Sequence, residues 1–199
     1  MAKLETMTVH RKFGELSAGG LGHRGWVRAL LLDRDGVLIE NVPYLADPNL
    51  VRPIAGVRTA LVAARAAGLR LGVVTNQSGI GRGIVGAEDV ERVNQFVDQE
   101  LGCFDVWQLC PHTPEDWCGC RKPAPGLVHR AAYLLGLPPA ACVVIGDRLT
   151  DLQAAQRAGA FAILVPSPDT TAEEQRAAGV VVGTLGEAVD YVAQLETAR

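Results

Sequence analysis

From residue 27 onward, short apolar runs alternate with longer stretches in which apolar residues recur at helical spacing. Short apolar runs bounded by turn residues are typical of buried strands. Strands are predicted at residues 27–32, 69–74, 104–109, 141–145, 160–165 and 180–182. Helices are predicted at residues 56–67, 87–101, 125–136, 149–158 and 185–195, with one more after the capping box that begins at Thr171. The alternation predicts an α/β fold with a Rossmann-like parallel sheet and helices on both faces.

The connections between these elements leave no room for a second domain. The stretch 35–75 holds one loop and one helix, and the stretch 75–122 holds one helix, one strand and a cysteine-rich loop. We therefore expect residues 27–199 to form a single domain with no large cap domain. Residues 1–26 mix charged, glycine and serine residues without a clear period, and we expect a flexible N-terminal extension there.

Polar residues stand at or after the ends of four of the predicted strands. Asp33 and Asp35 follow the first strand, and their side chains point the same way because side chains alternate along an extended chain. Thr75, Lys122 and Asp147 come after later strands. Each of these residues could instead have an ordinary structural role, such as a place in a turn, a surface basic residue or a helix N-cap. Ligands of open α/β sheets bind outside the carboxyl ends of strands, so the shared position favours one catalytic site.

These residue types suit phosphoryl transfer. An aspartate can act as a nucleophile and form an aspartyl-phosphate, while a second carboxylate serves as a proton donor. A lysine beside them would balance charge and bind the phosphoryl group, and aspartates are the hard oxygen ligands that Mg²⁺ prefers. Arg82 could pair with a phosphate or be a solvated surface residue. The other candidates for phosphate binding in this loop are Thr75, Asn76, Gln77 and Ser78.

A second constellation is formed by Cys110, His112, Cys118 and Cys120. Three thiolates and an imidazole make a closed tetrahedral zinc set, which would be structural because no position stays open for water. This zinc loop at 110–120 ends directly before the sequence Arg-Lys that contains Lys122, so a bound metal would hold that lysine in place. The alternative is a set of free surface cysteines.

Composition narrows the class of protein further. The chain has 199 residues, of which 48% are hydrophobic and 21% charged, as is ordinary for a soluble globular protein. A net charge of −3 and an aromatic content of 5% argue against a nucleic-acid partner. No apolar run approaches the length of a membrane helix, and the first 26 residues lack the apolar core of a secretory signal. We expect a cytoplasmic protein without a membrane partner, and no disulfide framework among its five cysteines.

Taken together, the motifs resemble those of haloacid dehalogenase superfamily phosphatases. The motifs are Asp33-x-Asp35-Gly36, Thr75-Asn76, Lys122 and Gly146-Asp147-x-x-x-Asp151. The cysteine loop before the motif lysine is similar to that of the histidinol-phosphate phosphatase and heptose-1,7-bisphosphate phosphatase group. The resemblance spans about residues 27–182 and leaves the N-terminal extension outside.

The resemblance implies a role for each motif residue. Asp33 would be the nucleophile and Asp35 the general acid and base. Mg²⁺ would be held by Asp33, by Asp147 and by the backbone carbonyl of Asp35. Asp151 would support a metal-bound water or Lys122. The phosphoryl group would be bound by Thr75, Asn76 and Lys122.

Within the group, residues 75–83 are similar to the heptose-bisphosphatase loop. Histidinol phosphatases usually have an acidic residue where Ser78 stands, and they lack the Arg-Gly pair that begins at Arg82. Arg148, and Tyr44 in the first specificity loop, also fit the heptose type.

The resemblance thus implies a Mg²⁺-dependent phosphatase that removes the 7-phosphate of D-glycero-D-manno-heptose 1,7-bisphosphate through an aspartyl-phosphate. Histidinol phosphate is the alternative substrate. The substrate's second phosphate is expected to meet a set of arginines that includes Arg82, Arg121 and Arg148.

Two other classes of protein share part of this pattern. A phospho-receiver signalling domain also clusters Asp, Thr and Lys on a parallel sheet, but it stores its aspartyl-phosphate and would not normally carry a Cys₃His loop. A zinc-dependent nucleic-acid module is disfavoured by the acidic net charge. A phosphorylated sugar is therefore the expected partner, and a capless chain of this length favours a monomer over an oligomer.

Overall fold

A computed structural model of the chain describes residues 7–9, 26–102 and 104–197. Its strands are β1 (Met7–Val9), β2 (Ala29–Leu32), β3 (Arg70–Asn76), β4 (Val106–Cys110), β5 (Cys142–Gly146) and β6 (Phe161–Leu164). They form one six-stranded sheet in the order β1-β4-β3-β2-β5-β6. β2 to β6 run parallel, and β1 pairs antiparallel with β4 at the edge.

Helices fill the connections between the strands. They are α1 (Val57–Ala66), α2 (Ser78–Gly81), α3 (Ala87–Leu101), α4 (Gly126–Leu134), α5 (Leu149–Ala158), α6 (Ala172–Ala177) and α7 (Leu185–Thr197). Within the described ranges, β2 and β3 are joined by a short 3-10 turn and α1, and β3 and β4 by α2 and α3. The predicted α/β class without a large cap domain is confirmed.

Side chains along β2 alternate between two layers of helices. Leu30 and Leu32 pack in the layer that contains α1, α3 and α7. Ala29 and Leu31 pack in the opposite layer, with α4 and α5. Because a parallel strand is covered on both faces, it needs a continuous apolar run rather than an alternating one, and this is what the sequence of β2 supplies.

The structure differs from the sequence-based prediction at three places. The predicted strand at 180–182 is an isolated bridge between Val181 and Leu164. α2 is a single turn of four residues, too short to leave a periodic signal. β1 lies within the stretch expected to be an extension, and its three residues pair with β4. The other residues of 1–25 lie outside the described residues, so their predicted flexibility stays a prediction.

Helix length and hydropathy bear on the membrane prediction. None of the helices in the described part of the chain is both long and apolar enough to cross a membrane.

Leu31 tests the packing of the central strand, because its side chain is fully buried between the sheet and α4 and α5. Leu31→Ala should lower the free energy of unfolding by about 2–5 kcal/mol, since it leaves a cavity that close-packed neighbours fill poorly. Urea denaturation followed by circular dichroism measures this. The matched control is Val62→Ala on the exposed side of α1, where 63% of the residue is accessible and the change should stay within about 0.5 kcal/mol. Similar losses in both variants would contradict the packing described.

Candidate active site

The register of the central strands brings the predicted carboxylates to one edge of the sheet. Leu32 of β2 is paired with Val73 of β3 and with Ile145 of β5. The backbone amide of Asp33 continues this ladder by donating to the carbonyl of Ile145 at 2.9 Å. Asp33 and Asp147 therefore leave neighbouring strands close to the same level, as the sequence predicted.

Lys122 is the positive centre of this edge. Its buried ammonium lies 3.0 Å from Asp33 Oδ2, forms a second ion pair with Asp151, and donates to the carbonyl of Val74 at 2.9 Å. Burial alone lowers the pKa of a lysine, but the carboxylates of Asp151 and Asp33 outweigh it and raise the pKa of Lys122 above its ordinary value. The lysine is thus held in its charged form.

The edge carries more carboxylates than one lysine can neutralise. Burial, opposed by Lys122 and reinforced by Asp151 and Asp147, raises the pKa of Asp33 to about 8. Burial also raises the pKa of Asp147 to about 6, although a hydrogen bond from Ser167 lowers it. Oxygen atoms of Asp33, Asp147 and Asp151 lie within 4.8 Å of one another. Crowded carboxylates with excess negative charge suit a hard divalent cation such as Mg²⁺.

Asp147 is oriented by three neighbouring groups. Ser167 Oγ donates to Asp147 Oδ2 at 2.7 Å, and Thr170 Oγ1 donates to the backbone carbonyl of Asp147 at 2.6 Å. On the other side, a Cβ atom at Gly36 would lie 2.3 Å from Asp147 Oδ2, and the backbone of Gly36 has a φ of 81°. A glycine is required there for both reasons.

The Asp35 carboxylate is bound by donors of its own. The guanidinium of Arg34 contacts both of its oxygens at 3.0–3.2 Å, and Gln77 Nε2 donates to Asp35 Oδ2 at 2.7 Å. The same Gln77 nitrogen donates to Thr75 Oγ1 at 3.0 Å. Asp35 is therefore tied to the loop in which phosphate binding is predicted.

The residue after Thr75 holds the lysine segment in place. Asn76 Nδ2 donates to the carbonyl of Lys122 at 3.1 Å, and the amide of Lys122 donates back to Asn76 Oδ1 at 3.1 Å. These two bonds position Lys122 through its backbone, which the sequence motif alone did not reveal. Ser78 follows as the first residue of α2.

The four predicted zinc ligands converge. The sulfur of Cys110 lies 3.2 Å from that of Cys120 and 3.6 Å from that of Cys118. His112 Nδ1 is 3.3 Å from the Cys120 sulfur. A zinc tetrahedron with Zn–S bonds of about 2.3 Å has edges of about 3.8 Å. The four groups lie close enough together to hold one metal ion, and the three cysteines are not joined by disulfides.

The thiols of this cluster crowd one another. A hydrogen bond with Cys120, together with burial, raises the pKa of Cys110 well above its usual value, so the pair resists ionisation unless a cation compensates. The backbone amide of Arg121 donates to Cys118 Sγ at 3.3 Å. The cluster is thereby linked to the residue that precedes Lys122.

The three predicted phosphate arginines differ in their surroundings. Arg121 donates to the carbonyl of His112 at 3.2 Å. Arg148 lies 3.0 Å from Glu174, where burial is outweighed by backbone and side-chain hydrogen bonds that lower the pKa of Glu174 to about 2. Arg82 is exposed at the end of α2. The positive charge of Arg148 is therefore partly neutralised by Glu174.

Tyr44 lies against the turn that follows the phosphate loop. A Cβ atom at Gly79 would lie 2.7 Å from Tyr44 Cδ1, so the ring covers that glycine closely. Tyr44 itself has a φ of 53° and is 47% exposed. A non-glycine residue in this strained conformation is typical of functional loops.

Comparisons with known proteins show the family to which the chain belongs. A HAD-hydrolase-like family model matches residues 119–193. A D-glycero-beta-D-manno-heptose-1,7-bisphosphate 7-phosphatase of Haemophilus ducreyi is 35% identical over 83% of this chain and 98% of its own. A D-glycero-alpha-D-manno-heptose-1,7-bisphosphate 7-phosphatase of Mycobacterium bovis is 37% identical over 71% of this chain and 76% of its own. The chain belongs to the haloacid dehalogenase superfamily of phosphatases.

A solved structure supports the same assignment. The D,D-heptose 1,7-bisphosphate phosphatase of B. bronchiseptica, complexed with magnesium and phosphate, superimposes with a TM-score of 0.76 at 28% identity. The match covers 84% of this chain and 99% of that chain. The predicted family and the prediction of a phosphatase are both confirmed.

Some residues of the phosphatase site were not singled out from the sequence. Arg34 and Asn94 lie behind Asp35, while Ser167 and Thr170 orient Asp147. Glu174 closes the capping box that begins at Thr171, and it also binds Arg148. Alternation along β2 could have indicated that Arg34 faces the core. No sequence signal connects distant loop hydroxyls such as Ser167 with the strand end they support.

Lys122 provides a test of the phosphatase's charge balance. Lys122→Met should lower the free energy of unfolding by about 3–5 kcal/mol at neutral pH, because it leaves buried carboxylates without their partner. Chemical denaturation in metal-free buffer measures this. Arg92→Met is the control, since the pair of Arg92 with Asp89 is exposed and should contribute no more than about 1 kcal/mol. An unchanged stability of the Lys122 variant would show that the carboxylates do not depend on it.

Proposed function

We propose that this phosphatase removes the 7-phosphate of D-glycero-D-manno-heptose 1,7-bisphosphate with the help of Mg²⁺ and through an aspartyl-phosphate. The names of its relatives support this substrate class. The observation that carries the chemistry is the cluster of Asp33, Asp147 and Asp151 beside Lys122, with Asp35 fixed two residues after the proposed nucleophile.

In the proposed reaction, Asp33 attacks phosphorus while the bond from phosphorus to the sugar oxygen breaks. Asp35 gives its proton to that oxygen, which leaves as the sugar hydroxyl. Asp35 then takes a proton from a water molecule that attacks the aspartyl-phosphate, and phosphate leaves while Asp33 is regenerated. Lys122, held by Asn76 through its backbone, neutralises the phosphoryl oxygens, to which Thr75 also donates.

The residues that would hold Mg²⁺ are Asp33, Asp147 and the backbone carbonyl of Asp35. When bound there, the ion would neutralise charge on the phosphoryl oxygens and on the carboxylates. Asp151 supports Lys122 in this arrangement, in line with one of the two roles that the resemblance implied.

For the second phosphate of the substrate we propose Arg121 as the main partner. Its guanidinium is anchored on the cysteine loop by a carbonyl rather than by a carboxylate, so its positive charge is not cancelled there. Arg148 shares its charge with Glu174, and Arg82 lies on an exposed turn, which makes both secondary candidates. We propose that Gln77 and Ser78 shape the phosphate loop and that Tyr44 borders the sugar.

We further propose a structural Zn²⁺ on the cluster of Cys110, His112, Cys118 and Cys120. Zinc would connect the end of β4 with the segment that precedes Lys122, and so fix the lysine from the side opposite Asn76.

Free cysteines in the described residues suit a reducing compartment, which supports the cytoplasm as the proposed location. The proposed site residues all lie within residues 27–199 of one chain, so we propose that a monomer suffices for activity, with β1 adding an edge strand to its sheet.

The substrate assignment is tested by phosphate release in the presence of Mg²⁺. We expect kcat/KM for heptose 1,7-bisphosphate to exceed that for histidinol phosphate by about 100-fold or more, because only the first offers a second phosphate to Arg121. Both anomers are assayed, since relatives of both kinds match this chain. Asp33→Asn is the control and should lower kcat by about 10⁴-fold or more. A preference for histidinol phosphate would contradict the heptose assignment and support the alternative substrate.

The zinc proposal is tested by metal analysis and thermal unfolding of the purified protein. Wild type should carry one zinc per chain, and Cys118→Ser should lose it and melt at least about 5 °C lower, because the loop loses its cross-link. Cys142→Ser is the matched control, since Cys142 is a buried free cysteine outside the cluster. Zinc-free wild type, or equal losses in both variants, would refute a structural zinc.

A further inference from the structure

Arg34 is the largest fully buried side chain of the described residues, although it stands between two aspartates of the active-site edge. Alternation along the extended chain turns it away from Asp33 and toward the layer of α1, α3 and α7, the side to which Leu32 also points. Only 1% of Arg34 is accessible. Burying a guanidinium is costly unless its donors are matched, so its partners explain its position.

The partners of Arg34 form a chain that ends at Asp35. Arg34 Nε and NH2 donate to Asp35 Oδ1 at 3.2 and 3.1 Å, and NH2 also donates to Oδ2 at 3.0 Å. On its other side, Arg34 NH1 donates to Asn94 Oδ1 in α3 at 2.7 Å. A planar guanidinium that contacts both carboxylate oxygens fixes the plane of the carboxylate as well as its position.

A second donor reaches the same carboxylate from another element. Gln77, which follows β3, donates to Asp35 Oδ2 at 2.7 Å. The carboxylate is thus held by α3 through Arg34 and by the phosphate loop through Gln77. It still keeps 21% of its side-chain surface accessible. A proton donor fixed in this way needs no reorientation before it acts.

Fold stability alone does not account for this arrangement. Replacing a buried ion pair by apolar side chains of similar volume is often neutral or stabilising. Leu32 and its neighbours already form a largely apolar layer on this side of the sheet. The charged network therefore calls for a role other than holding the layer together.

We propose that Arg34 is a positioning residue that aims Asp35 at the leaving-group oxygen, and that Asn94 anchors it. The inference rests on the proposed role of Asp35 as general acid. The step it serves is the transfer of the Asp35 proton to the leaving oxygen as the phosphorus–oxygen bond breaks and the bond from Asp33 to phosphorus forms. A leaving group that is stable as an anion does not need that proton.

The experiment compares Arg34→Met with wild type on phenyl phosphate and p-nitrophenyl phosphate in the Mg²⁺-loaded enzyme. kcat/KM is measured, because it reports the steps up to formation of the aspartyl-phosphate. We expect a loss of about 100-fold on phenyl phosphate and less than about threefold on p-nitrophenyl phosphate, whose leaving group needs no acid. A merely structural role would lower both values equally. Because both substrates are simple aryl esters, the comparison is independent of whether heptose bisphosphate is the natural substrate.

Asn94→Ala provides a second variant that leaves Arg34 and both aspartates in place. It should show the same selective loss of kcat/KM on phenyl phosphate, reduced to about tenfold. The loss is smaller because the Arg34 guanidinium still contacts Asp35 but no longer has its bond to Asn94. The control is Asp98→Asn, about one turn further along α3, where the buried carboxylate accepts from the amide of Phe104 and from Trp107 Nε1. This control should leave the ratio of the two substrates unchanged.

The two esters distinguish a positioning role of Arg34 from a structural one. Selective loss in Arg34→Met and in Asn94→Ala supports the proposal. Equal losses on the two esters, or no loss, in whichever of these variants folds would overturn it. Folding of each variant is checked by its thermal unfolding transition.

Discussion

One buried ammonium group organises this active site. Lys122 is surrounded by the carboxylates of Asp33 and Asp151 and by the carbonyl of Val74, with its side chain almost fully buried. Its positive charge allows two acidic strand ends to approach one another inside the sheet edge. It does not neutralise the whole set, and burial together with the charges of Asp151 and Asp147 keeps the pKa of Asp33 raised. The negative charge that remains uncompensated suits a divalent cation at this edge.

The lysine can act in this way because its segment is held from several directions. Asn76 at the end of β3 pairs with its backbone in both directions. The cysteine and histidine cluster ends immediately before it, and Arg121 is bonded to that cluster through both its amide and its side chain. Lys122 lies in a loop, and these hydrogen bonds fix its backbone there. This arrangement explains how a superfamily phosphatase without a large cap domain can order its site with loops.

The sequence predicted the parts of this structure that depend on local pattern. Both α3 and α5 begin and end where their periodicity indicated. The predicted carboxylates Asp33 and Asp147 meet because parallel strands end at a common edge, whereas Lys122 is brought to them by the contacts of its loop with Asn76. What escaped prediction depends on three-dimensional proximity: the pairing of β1 with β4, the hydroxyls around Asp147, and the partners of Arg34. The strand predicted at 180–182 forms only one bridge, because its partner Leu164 is the last residue of β6.

The placement of β2 between β3 and β5 has a consequence for how the enzyme comes into being. The pair of Ala29 with Cys142 joins residues that are far apart along the chain, and closing so long a loop is slow compared with forming a helix or a hairpin. Asp33 and Asp147 meet only when that pairing is complete. Partly folded chains therefore hold the acidic residues apart, and catalytic competence should emerge at the end of folding rather than gradually along it.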